Sequence, residues 1–82
     1  MKTMDAKDGL KNIISNHLGE VASSFFIDKS LAILDESAHD KESIMAAADR
    51  ITKRISLFID ADLAIKVFDM LKVEIENIPP KN

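Results

Sequence analysis

Few side chains in this sequence are suited to chemistry, and they reduce to His17, Ser30 and two groups of carboxylates. His17 is the first candidate, because an imidazole changes charge near neutral pH and can pass a proton. It falls on the apolar stripe of a helical stretch, near that stretch's C-terminal end. Cations are favoured at such a position and an imidazole N–H can cap free carbonyls there, so packing and capping is the expected role. Asp35, Glu36, His39 and Asp40 form one acidic group, and Asp60 with Asp62 forms another. Neither has the alternating oxygen ligands, glycine and closing glutamate of a calcium loop, and one histidine among carboxylates makes a poor zinc site. Helix capping accounts for Asp40 and for the Asp60/Asp62 pair without any ligand.

Two group-transfer roles bear comparison with the residues as they stand. Histidine phosphotransfer domains are helical bundles whose histidine is followed by a lysine and a glycine in an HxxKG pattern. Here His17-Leu18-Gly19-Glu20 puts a carboxylate where the lysine belongs, and that carboxylate would repel a phosphoryl group. Acyl carrier proteins are small, acidic and four-helical, and are modified on the serine of a DSL motif. Asp28-Lys29-Ser30-Leu31 is similar, with a lysine interposed. Ser30 falls in the middle of the most apolar stretch, where a small residue lets helices approach, so a carrier modified on Ser30 is the alternative reading. With two isolated glycines there is no phosphate loop or nucleophile elbow. The sequence assigns no catalytic, cofactor-binding or metal-ligating residue, and the chain is not expected to be an enzyme.

The elements that would position these residues follow from hydrophobic periodicity. Ala6, Leu10, Ile13, Ile14, His17 and Leu18 share one stripe at 100° per residue, which predicts a helix from about residue 5 to residue 18. Gly19 is expected to close it in the left-handed conformation. A second helix is expected over 20–35. Val21, Ala22, Phe25, Phe26, Ile27, Leu31, Ile33 and Leu34 cover most of its circumference, which suggests a central helix enclosed by its neighbours.

Asp40 can cap a third helix over 41–59, whose seam is Ile44, Ala48, Ile51, Ile55 and Phe58. Continued without a break, the following stripe of Ala64, Val67, Leu71, Ile75 and Ile78 would lie on the opposite side. A break at Asp60-Ala61-Asp62 returns both stripes to one core, giving a fourth helix over 62–77 that stops before Pro79-Pro80. The expected fold is all-α, a compact four-helix bundle in a single domain over 1–82, with 1–4 and 79–82 frayed.

Composition narrows the function classes. A chain of 82 residues has room for one core. Such a domain buries only about 60–65% of the surface of its unfolded chain, so a second copy or a partner would add to a thin stability margin. Cysteine is absent, which excludes disulfides and thiolate sites and points to the cytoplasm. No leader-like apolar run follows the first residues, and no segment approaches the roughly 20 apolar residues of a membrane span. Net charge is −3 and the eleven basic residues are scattered, which argues against a nucleic-acid partner.

What remains is surface. On the third helix Leu57 projects from the polar side beside Arg50, Lys53 and Arg54, the one basic cluster. On the fourth, Ile65, Met70 and Val73 fall off the main stripe. Adjoining apolar residues on a surface mark a partner site, so these seven are the candidate surface for a protein partner or a homodimer.

With Leu18-Gly19 closing the first helix, Val21-Ala22 opening the second, Ile44 to Ile55 as a seam and Phe68 near the end, the chain resembles a small helical domain appended to bacterial serine/threonine kinases and response regulators. In that family the helix junction reads Gly-Pro, and here Glu20 stands in the proline's place. The resemblance implies a non-catalytic interaction or oligomerisation module, accessory to signalling, and carries over no ligand or catalytic residue.

Overall fold

The computed structural model describes residues 6–37 and 40–77, the side chain of Ala6 excepted. They form four α-helices: α1 (Ala6–Leu18), α2 (Ser24–Glu36), α3 (Lys41–Phe58) and α4 (Ala61–Glu76). No strand occurs among them. The fold is the all-α four-helix bundle expected from the periodicity.

Each connection reverses the chain. The Lys7 ammonium, at the start of α1, donates to the Ser37 carbonyl at the end of α2 (2.5 Å). Ring contact between Phe26 and Phe58 brings the start of α2 to the end of α3. Gly9 lies against Glu74, so the start of α1 meets the end of α4. The helices pack as a closed ring, α1 on α2, α2 on α3, α3 on α4 and α4 on α1. The α3–α4 edge is the most extensive and the α2–α3 edge the least.

The core is a stack of branched aliphatic residues. Leu10, Ile14 and Leu18 come from α1, Leu34 from α2, Ile44, Ile51 and Ile55 from α3, and Val67, Leu71 and Ile75 from α4; all are essentially inaccessible. Ala47 and Ala48 of α3 and Ala64 of α4 are buried with them. The chain breaks between Phe58 and Ala61, so the stripes of α3 and α4 both face this core, and Asp60 stands at the break. This aspartate accepts from the Leu63 N–H (2.9 Å) and caps α4. Asp40 does the same for α3, accepting from the Ser43 N–H (3.0 Å) and hydroxyl (2.8 Å).

Several expectations need correction. α2 starts at Ser24, four residues later than expected, because the Ser23 hydroxyl accepts from the Phe26 N–H (3.2 Å) and sets the N-cap there. Glu20 to Ala22 belong to a turn in which the Val21 and Ala22 N–H groups both bond the Leu18 carbonyl. Gly19 does not use the left-handed conformation; no described residue has a positive φ. It is needed for space, since a Cβ would sit 2.8 Å from the Ser15 carbonyl oxygen. α2 is also not the central helix. Only Ser30 and Leu34 of it are fully buried, and its apolar circumference leaves Phe25 70% exposed.

His17 is exposed rather than packed. The buried line of α1 runs through Lys7, Leu10, Ile14 and Leu18, which turns the His17 direction to the rim. Phe58 leaves the α3 seam at its last residue and is 69% exposed. His39 and Ile78, and the ends expected to fray, lie outside the described residues.

Candidate interaction surface

The largest exposed apolar residues gather where α2 begins and α3 ends. The Ser23 cap places Phe25 and Phe26 in the first turn of α2. Phe26 is half-buried toward α3, and Phe25, one position round, faces solvent. On α3, Leu57 and Phe58 stand on the last turn, 78% and 69% exposed. In the turn before α2, Val21 lines a groove with Ile59, Leu63 and Lys66 at the junction of α3 and α4.

Phe58 meets the edge of Phe26 at a centroid separation of 6.2 Å, in the T-shaped arrangement that aromatic quadrupoles favour. Arg54 lies across both rings, its guanidinium carbon 4.9 Å from the Phe26 centroid and 5.9 Å from that of Phe58. Its Nε is buried without a hydrogen-bond partner. Lys29 reaches over Phe25, with Nζ 5.3 Å from the ring centroid. Cations over aromatic faces are held by electrostatic attraction worth about 0.5–1 kcal/mol at exposed sites. The result is an aromatic platform carrying fixed positive charge.

Further along the same edge, Arg50 lines a groove of about 340 Å³ with Ile33 and Glu36 of α2 and Ala46 and Ala47 of α3. Lys53 is exposed and pairs with Asp49 one turn back (3.4 Å). Both lysine and aspartate are mostly solvated, so that pair contributes little to stability.

The seven residues singled out from sequence do not share one surface. Arg50 and Arg54 face α2, one lining the groove and the other lying across the rings, and Lys53 and Leu57 are exposed within one turn of them on α3. Met70 and Val73 line a different groove with Ile13, rimmed by Asp69 and Glu74, between α1 and α4. In the ring of helices that is the opposite edge. Ile65 is 60% exposed and lines neither groove. Phe25, Phe26 and Phe58, which periodicity assigns to apolar packing faces, belong to the platform together with Lys29. The signal for Phe25 was available, since a helix apolar on every side in so short a chain has more apolar faces than neighbours.

No group of three potential metal ligands converges among the described residues. The Ser30 hydroxyl is fully buried and donates to the Phe26 carbonyl (3.1 Å). Among the described residues no helix is long and apolar enough to cross a membrane. Comparison with known protein families, with curated proteins and with solved structures finds no match.

Proposed function

We propose that this domain is a non-catalytic protein–protein interaction module of the cytoplasm and that the α2–α3 edge is its working surface. The observation that carries the proposal is the platform of Phe25, Leu57 and Phe58, each at least 69% exposed and gathered about Arg54 and Lys29. Burying such a side chain contributes about 1.5–3 kcal/mol, which a folded monomer of this size forgoes three times over on one face. Aromatic residues and arginine are also the types that dominate interface energetics. The acyl-carrier alternative is disfavoured by the buried Ser30 hydroxyl, because the acceptor of a prosthetic arm must be reachable by the transferase. The proposal takes the module to be accessory to bacterial signalling, on the resemblance of its apolar spacing to domains appended to bacterial kinases and response regulators.

A photo-crosslinking phenylalanine analogue at position 58, compared with the same analogue at position 65, tests the assignment in the native cell. The expected result is a discrete adduct from position 58 alone. Sequencing that adduct and reconstituting the pair from purified components should then give binding that Phe58→Ala abolishes. Equal adducts from both positions, or none from 58, would overturn it.

A further inference from the structure

We infer that the α2–α3 edge receives an acidic amphipathic helix from a partner protein. The inference rests on the interaction-module reading and adds the chemistry of what docks. Charge is the first argument. The chain carries a net charge of −3, yet Lys29, Arg50 and Arg54 stand on this edge with no carboxylate in ion-pair range among the described residues. Glu36, at the far end of the groove, is the acid that lines it. Two further surface grooves are rimmed by acids, Asp69 and Glu74 in one and Asp60 and Asp62 with Lys66 in the other. Three cations without an ion-pair partner among the described residues therefore stand beside the apolar platform, next to the exposed Asp28, and complementary charge steers and registers a partner.

Shape is the second argument. α2 and α3 are separated along part of their length by the groove that Ile33 and Glu36 form with Ala46, Ala47 and Arg50. Along α3 the exposed Ala46, Arg50 and Leu57 and the half-buried Arg54 recur every three to four residues, and the exposed Phe25 and Lys29 follow the same spacing on α2. A helix lying in that groove would set apolar residues at i, i+3/i+4 and i+7 on the platform and flank them with Asp or Glu. Arg54 suits such a partner because its guanidinium is already oriented by two rings and can bind a carboxylate in bidentate fashion.

A second copy fits less well. Isologous pairing would set Lys29, Arg50 and Arg54 against their own images, and like charges at an interface are repulsive. Pairing this edge with the acidic α1–α4 groove of another copy joins opposite sides of the molecule, which extends without closing into a defined complex.

The test is a random peptide display library panned against the full chain, with Phe58→Ala protein for counter-selection. The enriched peptides should carry Asp and Glu around Leu, Ile or Phe at helical spacing. Their affinity should fall about tenfold or more for Arg54→Glu, and likewise for the exposed pair Lys29→Glu with Arg50→Glu, and should weaken as salt is raised. Neutral or basic peptides that still require Phe58 would overturn the acidic partner and leave the interaction module standing. Self-association of the chain that Phe58→Ala abolishes, read by sedimentation, would do the same. No enrichment that depends on Phe58 would overturn both.

Discussion

The Arg54 guanidinium lies 4.9 Å from the Phe26 ring centroid, bridging α3 to the first turn of α2 across the least extensive edge of the bundle. This contact should be measurable apart from packing, because Arg54→Met keeps the aliphatic stem and removes the charge. In a double-mutant cycle of Arg54→Met with Phe26→Leu, followed by urea unfolding, the coupling should be about 0.5–1 kcal/mol. A coupling indistinguishable from zero would make the stacking incidental.

The Lys7 ammonium closes the neighbouring edge. Its side chain is 4% exposed, and Nζ donates to the carbonyls of Ser37 (2.5 Å) and Asp35 (3.4 Å) where α2 ends. Lys11 forms an ion pair with the Asp35 carboxylate one turn along, on a more solvated surface. Lys7→Met preserves volume but takes a charged donor from those carbonyls, and should lower stability by about 1–3 kcal/mol. Lys11→Met should cost less than about 1 kcal/mol. Denaturant titration of both variants decides the order, and equal costs would contradict the capping role given to Lys7.

The helix count and the break at Asp60 were legible because they depend on phase, which local sequence carries. Ile44, Ile51 and Ile55 could not share a core with Val67, Leu71 and Ile75 on one straight helix, and one capping aspartate resolves the conflict. Lys7 was not legible as a core-lining residue. Its burial depends on α2 ending over it, a relation between segments that periodicity within α1 does not record. Phe25 and Phe58 were misplaced for a related reason: apolar spacing says that a face can be buried, whereas only the arrangement of neighbours says whether anything covers it. Of the seven surface residues read from the sequence, Arg54 lies across the platform rings with Leu57 one turn along α3, whereas Met70 and Val73 line the opposite edge.

Ser30 separates the two functional readings by a simple measurement. The side chain is fully buried and its hydroxyl is satisfied within its own helix by the Phe26 carbonyl. Ser30→Ala should therefore change stability by no more than about 1 kcal/mol, since donor and local acceptor are close to self-contained. Ser30→Leu should cost about 1–3 kcal/mol through overpacking against the facing helices. Incubation of the native chain with a phosphopantetheinyl transferase and coenzyme A should leave its mass unchanged. A mass increase localised to Ser30 would restore the carrier alternative.

The two glycines should respond to alanine with opposite signs, although both stand at or near α1. Gly9 lies within the helix, and an added Cβ would meet only the flexible Glu74 carboxylate at 3.9 Å, an ordinary contact. Gly9→Ala removes backbone freedom from the unfolded chain without strain and should stabilise the domain by about 0.5–1 kcal/mol. At Gly19 the same methyl group would lie 2.8 Å from the Ser15 carbonyl oxygen, a backbone atom that cannot swing aside. The Leu18 carbonyl next to it already accepts from Val21 and Ala22, so relieving the clash disturbs the turn that leads into α2. Gly19→Ala should lower the thermal midpoint while Gly9→Ala raises it. For a domain of this size about 1 kcal/mol corresponds to roughly 4–8 °C, well within the reach of calorimetry. Stabilisation by both would mean that the junction at Gly19 is looser than its geometry requires.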